Sequence, residues 1–154
     1  MDPDASEALA WDIRAFVYAY IAEHARPPTA AECATELGIA EDAAASAYHW
    51  LHEHHVLFLE SDGASIRMAW PFSGVPTPYR VYANGRAYWA NCAWDMLGIP
   101  AALHADARIE AACAGSGDPD QMVIAVEGGQ VRGDGERIHL LVPFARWYAD
   151  LVHT

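Results

Sequence analysis

Tyr88-Trp89-Ala90-Asn91-Cys92-Ala93-Trp94-Asp95-Met96-Leu97-Gly98-Ile99-Pro100 sets a thiol and a carboxyl group three residues apart, at Cys92 and Asp95. The stretch predicts a short helix over residues 90–97, stopped by Gly98 and Pro100. Glycine favours a left-handed helix end, and proline cannot continue a helix interior. On a helix, a three-residue step puts two side chains on one face, one turn apart. Cys92 would then lie near the helix N-terminus, where the dipole lowers a thiol's pKa and favours the thiolate. A thiolate beside a carboxyl group can attack a soft electrophile while the acid protonates the departing group. From spacing alone a plainer alternative is ahead: Cys92 as a small core residue and Asp95 as a surface acid.

Working upstream, residues 79–83 and 86–89 flank Asn84-Gly85, a strong type I′ hairpin signal. Pro71-Phe72-Ser73-Gly74-Val75-Pro76-Thr77-Pro78 is rigid and turn-rich and reads as a link between two modules, 1–70 and 71–154. Ahead of it, residues 5–24 carry Leu9, Ile13, Phe16, Val17, Tyr20 and Ile21 at helical steps. Thr29 with Glu32 forms a capping box for a second short helix that Gly38 closes. A third helix is expected over 41–54, then a hairpin of 56–59 and 65–69 turning at Asp62-Gly63. Three helices and a hairpin form a winged-helix-like pattern. Downstream, 107–112, 122–126 and 138–142 read as strands, with loops over 115–120 and 128–135.

The bulk composition narrows the function. Of 154 residues, 53% are hydrophobic and 19% charged, which excludes a disordered chain. The net charge is −12, with 9 basic against 21 acidic residues and no local basic patch, so a nucleic-acid partner is not expected. The winged-helix-like module is therefore read as structural rather than DNA-binding. No apolar run reaches a membrane span, and Met1-Asp2-Pro3-Asp4 is acidic where a signal peptide is basic, so a soluble cytoplasmic protein is expected. Three cysteines, Cys33, Cys92 and Cys113, argue against a disulfide framework and leave room for reactive thiols.

Several separated segments resemble one family. Arg67-Met68-Ala69-Trp70-Pro71-Phe72-Ser73, then Pro76-Thr77, Tyr79-Arg80-Val81 and Tyr88 through Pro100, resemble the signature of the organomercurial (alkylmercury) lyases. Ala107-Arg108-Ile109, Cys113 and Ala114-Gly115-Ser116-Gly117 resemble the next family segment, and the likeness runs on to Trp147-Tyr148-Ala149-Asp150. The resemblance implies an α+β fold: an N-terminal winged-helix-like three-helix module, then a core of mixed or antiparallel strands and short helices. It further implies that Cys92 is the first mercury-binding thiol, Asp95 the proton donor to the leaving carbon, and Cys113 a structural cysteine. Mercury is a soft cation that prefers thiolates, so the implied chemistry agrees with the residues.

The sequence departs from the family pattern at one place. The family's second catalytic cysteine follows a Trp-x-x-Asp segment like Trp147–Asp150, whereas Leu151-Val152-His153-Thr154 stands here. The expectation is a truncated form, or a shortened relative with altered function and impaired Hg–C cleavage. Cys113 is the alternative second thiol, but a buried strand position argues against it.

The remaining candidates are weaker. Phe72, Tyr88, Trp89, Trp94 and Cys113 are taken as a substrate pocket around Cys92 and Asp95; an apolar wall there would raise the pKa of Asp95 and keep it an acid. If mercury or copper binds, Cys92 and Asp95 are the expected ligands. His49, His52, His54 and His55 read as a solvated helix end rather than a metal site. The expected partners are a small-molecule substrate and Hg(II) or another soft ion; a homodimer is admitted, and no cofactor is expected. Two further functions stay open: an elimination, isomerisation or cyclisation of an organic molecule at the same pocket, and a binding protein without turnover.

Overall fold

The structure, a computed structural model, describes residues 3–112, 121–133, 138 and 142–149. Helices α1 (Pro3–His24), α2 (Ala30–Leu37) and α3 (Glu41–Glu53) come first. Helix α1 buries Ala10, Ile13, Val17 and Ile21 at three- and four-residue steps. Each of the larger aliphatic side chains among them contributes about 1.5–3 kcal/mol on leaving water. The capping box of α2 forms as read from the sequence. Thr29 Oγ1 accepts from Glu32 N at 3.1 Å, and the Glu32 carboxylate accepts from Thr29 N at 2.8 Å. Gly38 ends α2 in the left-handed conformation at φ 65°. Cys33, Tyr48 and Leu51 lie buried within this helical layer, and the Tyr48 hydroxyl donates to the Pro28 carbonyl at 3.3 Å.

The strands are β1 (Phe58–Leu59), β2 (Ile66–Ala69), β3 (Phe72–Ser73), β4 (Tyr79–Ala83), β5 (Arg86–Ala90), β6 (Ala107–Ala112), β7 (Gln121–Glu127) and β8 (Gln130–Arg132). They form one antiparallel sheet in the order β1-β2-β3-β5-β4-β6-β7-β8. With the helices this is the expected α+β class. Strand alternation divides the sheet's faces: Val81, Ala83, Tyr88, Ala90, Ala107, Ile109 and Ala111 are buried, while Arg80, Tyr82 and Arg108 take the opposite positions. Helix α1 is tied to β5 by the Tyr88 hydroxyl, which donates to the Ala22 carbonyl at 2.7 Å, and by the Arg86 guanidinium, which donates to the Glu23 carbonyl. Asn84 and Gly85 both have positive φ, 51° and 73°, as a type I′ turn requires. Among the described residues no helix is long and apolar enough to cross a membrane.

Three expectations change. The short helix is α4 (Asp95–Leu103), not 90–97, and Gly98 and Pro100 lie inside it. Strand β5 claims Ala90, which pairs with Phe72, so the chain turns before the helix starts. Burial of Met96, Ile99 and Pro100 outweighs the proline's missing hydrogen bond, and the helix stops at left-handed His104 instead. Second, Phe72 and Ser73 form a strand rather than a link, pairing with β2 on one side and β5 on the other. Third, β8 occupies the middle of the loop expected over 128–135, because Gly128 and Gly129 turn at positive φ and return the chain onto β7. The strand expected over 138–142 and the loop over 115–120 lie largely or wholly outside the described residues.

Gly74 follows β3 at a close backbone approach. A Cβ there would stand 2.1 Å from the Ile66 carbonyl oxygen and 3.0 Å from Pro27 Cγ, and Gly74 N donates to the Arg67 carbonyl at 2.7 Å. The neighbour is backbone, so it cannot yield by a rotamer change. Gly74→Ala is expected to destabilise the fold by roughly 3 kcal/mol, the upper end of overpacking costs. A urea midpoint equal to wild type would show that the turn relaxes freely.

Candidate functional site

The chain leaves β5 at Ala90 and makes one irregular turn, Asn91 to Trp94, before α4. Thr77 fixes the start of this turn: its hydroxyl donates to the Ala90 carbonyl at 2.6 Å and accepts from Tyr79 N at 3.2 Å. Met96 N donates to the Cys92 carbonyl at 3.1 Å, so the first helical turn already begins over Cys92. Cys92 and Asp95 therefore meet although Cys92 precedes the helix. Cys92 Sγ lies 3.5 Å from Asp95 Oδ2, and both residues are partly buried.

Burial decides the electrostatics of this pair. Desolvation raises the Cys92 thiol above its ordinary pKa, and the Asp95 charge raises it further. Backbone N–H groups of Asp95 and Trp94 pull the other way. The helix start thus acts on the sulfur as expected, but the thiol is pushed up rather than down, because lost solvation and the neighbouring carboxylate outweigh the dipole. The Asp95 carboxyl is also raised, by burial, against opposing effects of Asn91 and Cys92. Two groups that resist ionisation share one contact, an arrangement suited to holding and delivering a proton.

The other predicted site residues take separate places. Phe72 is buried on β3, its ring 5.6 Å from Tyr88 and 6.5 Å from Tyr18. Tyr88 is buried with its hydroxyl turned to α1. Trp89 lies on the opposite face of β5 from Tyr88, with the Arg80 guanidinium 4.0 Å from its ring centroid. Trp94 is 61% exposed. Cys113 lies outside the described residues, and Cys33 is buried between helices. A groove of about 400 Å³ runs between α4 and the β7–β8 turn, lined by Leu97, Pro100, His104 and Val131 among others, but neither Cys92 nor Asp95 borders it.

The histidines are held by aromatic contacts. His54 stacks on Trp50 at 3.8 Å, His52 meets Phe58 edge-on at 5.2 Å, and His55 stacks on Phe58 at 6.0 Å. Among the described residues no group of three His, Cys, Asp or Glu side chains could hold a metal ion.

Four more side chains bear on the pair: Tyr79 stands in the family-like Tyr79-Arg80-Val81 segment, whereas Tyr18, Arg14 and Asn91 were not singled out in the sequence. Tyr79 lies close enough to Cys92 for the thiolate's charge to add to the burial that raises its phenol. Tyr18 of α1 is raised by burial, with Arg14 opposing and the Asp95 charge adding. Arg14 lies 4.8 Å from the Tyr18 ring centroid with its Nε buried and unpartnered. Asn91 has both side-chain polar atoms buried without a partner. Tyr18 and Arg14 fall off the main apolar stripe of α1, and a buried-side arginine there was the available signal.

The alkylmercury lyase family matches residues 72–153 of the chain. Among solved structures, the mercury-bound form of MerB2 superposes with a TM-score of 0.61 at 22% identity, covering 79% of this chain and 58% of that one. At that identity the likeness concerns the fold, and the chain spans under two thirds of the relative's length. No curated protein sequence matches.

Two measurements follow from the raised pair. The pH–rate curve for alkylation of Cys92 is expected to lie at higher pH than that of an ordinary thiol, and Asp95→Asn should move it down; a curve unmoved by Asp95→Asn would contradict the coupling. Because the folded-state pKa of Asp95 is raised, the native protein binds this proton more tightly than the unfolded chain. Asp95 therefore favours folding in acid and opposes it once pH rises through the raised value. Asp95→Asn should raise the melting temperature at neutral pH, with the gain shrinking in acid.

Proposed function

The chain belongs to the alkylmercury lyase family, and from that premise we propose that it cleaves carbon–mercury bonds with Cys92 as thiolate ligand and Asp95 as proton donor. The observation that carries this reading is the 3.5 Å contact between Cys92 Sγ and Asp95 Oδ2 in a partly buried turn. An organomercurial cation takes the place of the thiol proton: an S–Hg bond forms and the proton leaves to solvent. A soft metal makes that exchange favourable even for a thiol that holds its proton tightly. Sulfur donation then makes the mercury-bound carbon more basic. The Asp95 carboxyl, whose hold on its proton is strengthened by burial, transfers that proton to the carbon. The C–Hg bond breaks, the hydrocarbon departs, and Hg(II) stays on the Cys92 sulfur beside the new carboxylate.

Cys92 supplies one thiolate. With one sulfur donating, the bond is activated less and the product is held less firmly than between two. Cleavage is therefore proposed to be slow and to accelerate with an added small thiol. Release of benzene from phenylmercury, followed with and without such a thiol, tests the reading. Cys92→Ser is expected to abolish enzymatic release, and Asp95→Asn to lower it about 10²- to 10⁴-fold, the usual worth of a positioned acid. Release that neither substitution changes would overturn the assignment and favour binding without turnover or an organic substrate.

A further inference from the structure

Asn91 sits between the last residue of β5 and the reactive thiol, and nothing in the fold accounts for its side chain. Ala90 before it completes the pairing with Phe72. Asn91 Nδ2 and Oδ1 are both buried, and neither completes a hydrogen bond. A primary amide left so is costly, and such groups in a native protein call for an explanation such as a ligand, an ordered water or a catalytic role. The amide does stand against the Asp95 carboxyl, closely enough to favour its ionised form, although it falls short of full hydrogen-bond geometry. The amide therefore faces a group that becomes an anion only when the proton has gone.

We propose that Asn91 is the positioning residue for the proton donor: its Nδ2 group is poised to close a hydrogen bond on the Asp95 carboxylate that remains once the proton has been delivered. This rests on the reading of Asp95 as the acid. As the Asp95 O–H bond breaks and a C–H bond forms on the departing group, negative charge appears on a partly buried carboxylate. The Cys92 sulfur, 3.5 Å from that carboxyl, is by then bound to mercury and donates nothing. An amide N–H already in place strengthens its bond as the charge develops, and so lowers the barrier rather than tightening substrate binding. A carboxyl group left without that donor would also swing away from the sulfur more readily.

The chain's side-chain amides belong to Asn84, Asn91, Gln121 and Gln130 alone. Each gives one proton pair in a nitrogen-15 correlation spectrum, and the pair lost in Asn91→Leu assigns Asn91. In wild-type protein at mildly alkaline pH, an Asn91 amide proton is expected downfield of its position in Asp95→Asn, with Asn84, exposed on its turn, unmoved. An Asn91 resonance indifferent to Asp95→Asn overturns the proposal, whether or not any organomercurial is cleaved. In phenylmercury turnover, Asn91→Leu should lower kcat about tenfold or more with KM little changed, the effect of losing a hydrogen bond to a charged group. Asn91→Ser, which keeps a donor, should recover part of the loss. Equal kcat in Asn91→Leu and wild type also overturns the proposal. Absence of cleavage by wild type instead defeats the lyase reading and leaves the spectrum to decide Asn91.

Discussion

The backbone hydrogen bonds of Phe72 and Ser73 hold the two ends of the sheet together. These residues pair with Met68 and Ala69 on one side and with Trp89 and Ala90 on the other. Without them the β1–β2 hairpin would belong to the helices alone, and β5 would have a free edge. The junction is tight: the chain leaves it through Gly74, where the Ile66 carbonyl occupies the space of a side chain. Ser73 closes its own turn, donating to the Val75 carbonyl at 2.8 Å. Since Ala90 is fixed by this pairing, the turn that follows, and Cys92 with it, is placed by strand geometry rather than by a flexible loop.

At the pair itself two tendencies compete, and desolvation wins. A sulfur at a helix start would ordinarily lose its proton readily, but here partial burial and a carboxyl at 3.5 Å hold the proton on. The same burial raises the carboxyl's pKa as well. On the proposed reading such a thiol is tolerated, since a soft metal and not pH would remove the proton. The arrangement disfavours reaction with weaker electrophiles, which need a thiolate already formed.

Where the sequence carried local chemistry it was legible. The Thr29–Glu32 box, left-handed Gly38, and the Asn84-Gly85 turn are interactions between near neighbours, and each stands where the residues placed it. The contact of Cys92 with Asp95 agrees with their three-residue step, but it was the family resemblance, not the spacing, that singled the two out. The extent of α4 was not, because Pro100 breaks a helix locally while burial of Met96 and Ile99 sustains it through contacts distant in sequence. Strand β3 was hidden among prolines, and two residues carry no periodicity. Asn91 and Tyr18 were missed for a similar reason: an amide after a strand and a phenol on a first helix have no pattern until the fold brings them to one carboxyl.

Gly98 gives α4 its seat. A Cβ there would stand 3.0 Å from Pro71 Cβ, so a side chain at this position would fit only if the helix or the proline gave way by a few tenths of an ångström. Asp95 rides on this helix, one turn back, whereas Cys92 belongs to the turn anchored by β5. Bulk gained at position 98 would press on the helix that carries Asp95, unless position 71 shrank in compensation. The spacing of acid and thiol is therefore governed by a pair of residues that touch neither, and among homologues changes at 71 and 98 should arrive together.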